Sequence, residues 1–380
     1  MDNSSYNVIK YFDKEIDVRE SLRKTLEENI NEYMKHELNH FLGYEKYNRS
    51  ELKNYRNGSY KRKLVTRYGV LNLTIPRDRR GLFQSKVIHA YKRRTLDFDN
   101  IITSLYKKGM STSEISEEIR QIYRKNYTPQ TISNINKVFN KKVFSFKNRL
   151  FNDNYVVVYL DATYIKVRRK RVQKETVYLA IGVNSMGHRE VLGYYTYYKE
   201  SSDIWDKFLN SLRSRGLSNV ILFVTDGLNG LSKVIKKNFT NALHQKCLIH
   251  TSRSILKIVS RKDRKLIIND FNKIYSIDSY NNGKNLLEKI VDDWSYKYKK
   301  IGSILNEHED LLNWLLFPSS IRRSIYSNNM IESFNKKLKR QIKKREQFPN
   351  INSFERVLIN VIYDYNNKNR KQVKNIFKQI

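Results

Sequence analysis

Among the 38 acidic residues of this 380-residue chain, three stand where a folded sheet would gather them. Asp161 ends the apolar run VVVYL, Asp226 ends VILFVT, and Glu332 falls in the first turns of a late amphipathic segment. Strand ends and a helix beside the sheet are rigid supports, as a hard cation requires of its ligands. Carboxylate and water ligands favour Mg²⁺ or Mn²⁺ over zinc. Two such ions, about 3.5 to 4 Å apart, activate an attacking oxygen and stabilise the leaving oxygen in an in-line phosphodiester displacement. A single strand-end aspartate is as readily a cap or a turn residue; what points to chemistry is three acids in this order.

The elements that must position them follow from periodicity. YVVVYLDATYIKV, TVYLAIGVN and REVLGYYTYY read as an antiparallel meander. A helix is expected from about 203 to 215, and NVILFVTDG then reads as a strand buried on both faces of a mixed sheet. Residues 248 to 317 read as helices, and the last clear helix spans about 328 to 344. On it Met330, Phe334, Leu338 and Ile342 recur every four residues and are expected to pack on the sheet, with Glu332, Lys336 and Lys339 turned elsewhere. The fold class expected is α/β, with a helical insertion and no internal repeat.

The 73 Lys and Arg residues against 38 Asp and Glu leave a charge of +35, which calls for a polyanionic partner. The basic residues are spread along the whole chain, which suits a phosphate backbone better than a lipid surface. Hydrophobic residues at 39% exclude a disordered basic tail. The single cysteine, Cys247, excludes an intramolecular disulfide framework and suits a reducing cytosol. No signal-like segment opens the chain and no long apolar stretch follows, so a cytoplasmic protein away from the membrane is expected, nucleoid-associated when bound to DNA.

Three regions are expected: a helix and basic hairpin over 1–97, a helix-turn-helix over 98–150, and a catalytic domain over 151–380 with its insertion at about 248–320. Ile16, Leu22, Leu26, Ile30, Met34, Leu38 and Leu42 predict an amphipathic helix over 14–42, a candidate surface for self-association. Tyr68-Gly69 marks the turn of the hairpin, whose bases include Arg56, Lys61, Arg62, Lys63, Arg67, Arg77, Arg79 and Arg80. In the third region a helix stops at Gly109, Ser111 with Glu114 forms a capping box, and Thr128-Pro129 opens a third helix running through Lys141. Ile132, Ile135 and Phe139 share one face of that helix. Gln130, Ser133, Asn134, Lys137 and Lys141 share the other, as entry into a major groove requires. Three small helices also occur as plain bundles.

These residues resemble the bacterial mutator-type insertion-sequence transposases. The similarity rests on NYRNGSYKRKLVTRYGVLNLTIPRDRRGLF (54–83), YLDATYIKVR (159–168), VTDGLNGL (224–231), KCLIHTSRSIL (246–256) and IRRSIYSNNMIESFNKKLKRQIKKREQFPN (321–350). It extends over roughly residues 20 to 365. The resemblance implies an RNase H-like catalytic domain whose DDE triad falls on Asp161, Asp226 and Glu332, separated by 65 and 106 residues. The second gap accommodates the helical insertion. It also implies a two-ion Mg²⁺ or Mn²⁺ site, double-stranded DNA as partner at element ends and target, and at least a dimer on DNA. Cys247 and His250 match the family's C-x2-H signature, with His250 expected in the active site, near the scissile phosphate, and Cys247 supporting it. His244 at the same spacing invites a zinc reading, but no second ligand pair follows. Lys336, Lys339 and Arg340 lie beside Glu332 as candidate phosphate contacts. Trp294 and Trp314 are expected in the core of the insertion, with stacking on a splayed base as the alternative. Rival functions are a catalytically inert DNA-binding regulator, a tyrosine-nucleophile recombinase and a structure-specific nuclease.

Overall fold

The computed structural model describes residues 18–48, 54–88, 94–123, 126–151, 154–228, 230–306, 308–343 and 345–370. The expected start of the first helix at 14–17, Ile16 included, lies outside them. Two compact units divide between Lys137 and Val138. Among the described residues no helix is long and apolar enough to cross a membrane.

In the first unit, α1 (Val18–Leu42) lays Met34 and Leu38 on a hairpin of β1 (Arg56–Thr66) and β2 (Gly69–Asp78). Leu64, Leu71, Leu73 and Ile75 complete that small core, so much of the helix's apolar stripe is used within the unit. The strands pair antiparallel from Thr66↔Gly69, across a two-residue turn at Arg67-Tyr68. Residues opposite each other in the ladder share a face, so Arg62, paired with Leu73, sits on the side of Leu64, half-buried. Lys63, paired with Asn72, turns to the other side and is exposed.

Three short helices follow: α2 (Leu96–Lys107), α3 (Thr112–Tyr123) and α4 (Pro129–Ile135). Gly109 adopts φ 98°, and the Ser111–Glu114 box forms in both directions, Ser111 N–H donating to Glu114 at 2.6 Å and Glu114 N–H to Ser111 Oγ at 3.2 Å. Thr128 caps α4 by accepting from Thr131 N–H at 3.2 Å. The third helix is shorter than expected: it ends at Ile135, and α5 (Val138–Asn148) starts anew. Asn136 is the cause. Its side-chain amide folds back onto the Ile132 carbonyl at 3.0 Å while Lys137 N–H bonds the Asn134 carbonyl, tightening the turn and ending the ladder. Phe139 and Lys141 therefore belong to α5 in the second unit, Lys137 lies in the break, and α4 keeps Gln130, Ser133 and Asn134.

The second unit is built on a five-stranded sheet, in the order β5 (Arg189–Tyr197), β4 (Val172–Asn184), β3 (Tyr155–Arg168), β6 (Leu222–Thr225) and β7 (Leu243–Lys246). β3, β4 and β5 form the expected meander, and β6 and β7 run parallel to β3. Val158 and Leu160 face one side, where Trp205, Phe208 and Leu212 of α6 (Ser202–Arg213) and Leu231 and Ile235 of α7 (Leu231–Asn238) cover them. Alternation sends Val157, Tyr159 and Asp161 to the other face, where the Tyr159 hydroxyl donates to Ser324 O at 2.8 Å.

Between β7 and that face comes the helical insertion: α8 (Leu248–Ile258), α9 (Arg264–Asn272), α10 (Tyr280–Ser295), α11 (Lys300–Leu305) and α12 (His308–Leu312). Trp314 is buried in it, edge-on to Tyr326, and Trp294 is half-buried beside Tyr298. The chain closes with α13 (Ser319–Ile325), α14 (Asn329–Lys343) and α15 (Ile351–Arg370). The buried stripe of α14 is Ile331, Phe334, Asn335 and Leu338, not the four-residue repeat read from sequence. A strict repeat of four overshoots the 3.6-residue turn, so Met330 and Ile342 drift off the face that Phe334 and Leu338 occupy.

The sheet leaves no room at Gly182 of β4, where an added Cβ would fall 2.5 Å from Tyr155 and 2.9 Å from Leu192. Gly182→Ala should cost about 1–3 kcal/mol, read as a lower denaturant midpoint with unchanged slope; an unaltered midpoint would refute this packing.

Candidate active site

Parallel pairing of β3 with β6 sets the site. Tyr159 is the partner of Val224, so Asp161, two residues further along β3, comes within electrostatic reach of Asp226, which directly follows the last residue of β6. Asp161 does not end its strand as expected, because β3 runs on to Arg168 in its pairing with β4. Glu332 arrives on α14, which packs against β3, within the electrostatic reach of Asp161. Burial first, then the charges of Asp226 and Glu332, push the Asp161 carboxyl up to about 7 against the opposing hydrogen bonds. Asp161 accepts from Ala162 N–H at 2.9 Å and from the Asn335 amide at 2.7 Å. Asp226 accepts from Leu228 N–H at 3.3 Å.

Glu332 is turned to a basic pair, 3.4 Å from His250 Nε2 and 3.5 Å from Arg253. His250 thus lies against the Glu332 carboxylate. Cys247 is buried, its thiol pushed up chiefly by burial, and its Sγ accepts from Asn328 N–H at 3.2 Å. Asn328 also donates through its side chain to Leu160 O at 3.1 Å, and its carbonyl accepts Glu332 N–H at 3.1 Å. One buried asparagine therefore ties the residue before Asp161, the thiol of the C-x2-H motif and the first turn of the glutamate helix.

His244 points elsewhere, its ring bridging Thr225 Oγ1 at 2.9 Å and Asp310 at 2.8 Å, away from Cys247. Sequence reasoning missed Asn328, Asn335, Arg253 and Asp310. The string SNNMIESFN held a signal for two of them, since asparagines four residues before and three after Glu332 fall on its side of a helix.

Among the described residues no three His, Cys, Asp or Glu side chains are drawn together as a metal site, because Glu332 is held by His250 and Arg253. The two aspartates do fit a hard cation. They are adjacent oxygen donors with excess negative charge, and Asn335 Oδ1 beside Asp161 is buried without a hydrogen-bond partner among the described residues. Tyr164 is a poor nucleophile here. Burial, a hydrogen bond to Glu200 and the charges of Glu200 and both aspartates push its phenol up to about 12.

The expected DNA contacts distribute over both units. Lys63, Arg67, Arg79 and Arg80 are exposed on the hairpin and the turn after it, and Gln130 and Asn134 are exposed on α4, bonded to each other at 3.2 Å. Ser133 is half-buried there, and Lys137 in the break and Lys141 on α5 are exposed. Lys336, Lys339 and Arg340 line the exposed side of α14.

A mixed α/β unit gathers an aspartate within one strand, an aspartate just after its parallel neighbour and a glutamate on a later helix. The model of the Mutator family of transposases matches residues 4–371, and the chain belongs to that family. It is 38% identical over 374 residues to the transposase for insertion sequence element IS905 of Lactococcus lactis subsp. lactis (strain IL1403), covering 98% of this chain and 96% of that one. The transposase for IS1201 of Lactobacillus helveticus is 37% identical over 93% of this chain and 97% of its own. That for IS256 in transposon Tn4001 of Staphylococcus aureus is 29% identical over 94% and 92%.

The raised carboxyl of Asp161 carries a stability consequence. Between the ordinary value of 3.8 and about 7 the fold binds more protons than the unfolded chain, so this group's contribution falls as pH rises through that window. Asp161→Asn should stabilise the metal-free protein at pH 8 by about 1–2 kcal/mol and leave it little changed at pH 4. Equal denaturant midpoints for the two proteins at pH 8 would contradict the charge clustering.

Proposed function

We propose that the chain is the DNA transposase of an insertion sequence, binding the element's terminal inverted repeats and cleaving and joining DNA strands at the Asp161–Asp226–Glu332 site. The observation that carries the reading is the clustering of Asp226 and Glu332 within electrostatic reach of the buried Asp161, set up by the parallel pairing of β3 with β6. The strand order β5-β4-β3-β6-β7, three antiparallel strands followed by two parallel ones, supports an RNase H-like domain.

In this reading Asp161, Asp226 and Glu332 hold two Mg²⁺ or Mn²⁺ ions, which supply positive charge to the attacking and leaving oxygens. Asn335 keeps one oxygen of Asp161 oriented, and Asn328 holds the glutamate helix to the end of β3. His250 and Arg253 restrain Glu332 and stand ready for a phosphate oxygen. Water attacks the phosphodiester at the element end and breaks its P–O3′ bond, leaving a 3′-hydroxyl and a 5′-phosphate. The 3′-hydroxyl then attacks a target phosphodiester, its proton passing to solvent, and displaces the target strand's 3′-oxygen, which leaves as a hydroxyl. No protein–DNA bond forms, in keeping with the unfavourable ionisation of Tyr164.

The capped helices α2, α3 and α4 form a helix-turn-helix in which α4 reads bases through Gln130, Ser133 and Asn134, while the exposed bases of the hairpin and of α14 meet phosphates. Pairing two ends requires at least a dimer on DNA.

In Mg²⁺ the wild type should join a cut element end to target DNA, and Asp161→Ala should reduce joining to background while still shifting the end in a binding gel. A wild type that binds ends and joins nothing would instead identify a regulator. Alanine at Gln130 and Asn134 together should narrow the affinity gap between the cognate end and random duplex by roughly ten-fold or more. An unchanged gap would remove α4 from base reading.

A further inference from the structure

A cavity of about 870 Å³ opens between α7, the end of β7 and the helical insertion, outside the carboxylate site but sharing its wall. Leu228, whose N–H bonds Asp226, lines it, and Lys246 packs against Gly227, the next residue of the catalytic turn. Four lysines from three elements converge on it: Lys233 and Lys236 of α7, Lys246 of β7 and Lys284 of α10.

The acids on its wall are Glu309 and Asp310. Burial alone would raise Asp310, but its bond to His244, with Lys246 and Ser232 nearby, holds it below the ordinary carboxylate range. Its charge is thus largely engaged inside the protein. Lys284 stands 3.8 Å from the exposed Glu288, a separation at which an ion pair is weak. Lys246 is half-buried, and burial lowers its pKa against the charge of Asp310. Tyr280, at the start of α10, adds an aromatic ring to the same wall.

Pockets of roughly 300–1,000 Å³ take whole drug-sized ligands, so one phosphate would leave most of this space unused. Lysines spread around a wall with one aromatic ring match successive phosphates and a stacked base. We propose that this cavity is a second nucleic-acid subsite, which holds an unpaired stretch of DNA strand next to the catalytic turn, its phosphates on Lys233, Lys236, Lys246 and Lys284 and a base on Tyr280. The identity of the ligand as DNA rests on the transposase reading; the phosphate chemistry does not.

The test is binding of a short fluorescein-labelled oligothymidylate to the full chain in EDTA, where no cleavage occurs. Lys233→Ala/Lys284→Ala is compared with Lys289→Ala/Lys300→Ala, an equal charge change on exposed lysines of the same unit outside the cavity. The cavity variant should lose about ten-fold in affinity and about 1.4 from the log–log salt slope, two phosphate contacts' worth, while the control loses far less. Tyr280→Ala should weaken binding further and Tyr280→Phe should not, and all variants should unfold at the wild-type temperature. Equal losses in cavity and control variants, or none in either, overturn the proposal. So does displacement of the oligomer by thymidine monophosphate at comparable concentration, which would make the cavity a mononucleotide site. Because the measurement needs no catalysis, its outcome is independent of whether strand joining is observed.

Discussion

The constraint on which the rest depends is the parallel pairing of β3 with β6. It brings Asp161, midway along β3, within electrostatic reach of Asp226, 65 residues on in sequence and just past the end of β6. Burial first and the like charges second push the Asp161 carboxyl up to about 7. The fold accepts this unfavourable charge because the supports are not charged. Two apolar layers fix the sheet, and amide groups of Asn328 and Asn335 fix the helix and the carboxylate. A divalent cation answers such a cluster better than a salt bridge, since it neutralises the charge and leaves positions open for substrate oxygen.

Around that centre the remaining parts serve placement. Cys247 and His250 sit on either side of the start of α8, the thiol bonded to the backbone of Asn328 and the imidazole to the side chain of Glu332. The C-x2-H spacing thus spans from the buried support to the working face. Farther out, the Thr225–His244–Asp310 chain joins the strand that carries Asp226 to α12. The helical insertion is thereby tied to the catalytic turn through polar groups that are themselves buried.

Much of this was legible in the sequence, for reasons that can be named. The meander and β6 announced themselves because buried strands are long apolar runs, and the capping box at Ser111 and the cap at Thr128 because these residues do local chemistry. Asp161 and Asp226 stood out because each follows such a run, and Glu332 because it opens an amphipathic helix. Less legible was whatever depends on partners distant in the chain. The two polar strand neighbours of β7, His244 and Gln245, disguise a four-residue strand as a loop. Asn136 ends α4 by a bond to its own backbone that composition does not announce. The face of α14 was misread by one position because a repeat of four was followed where the helix turns every 3.6 residues.

The most direct test of the central claim is anomalous diffraction from crystals soaked in Mn²⁺. The expected result is manganese at the carboxylates of Asp161, Asp226 and Glu332. Manganese bound elsewhere, with both aspartates free of it, would contradict the account.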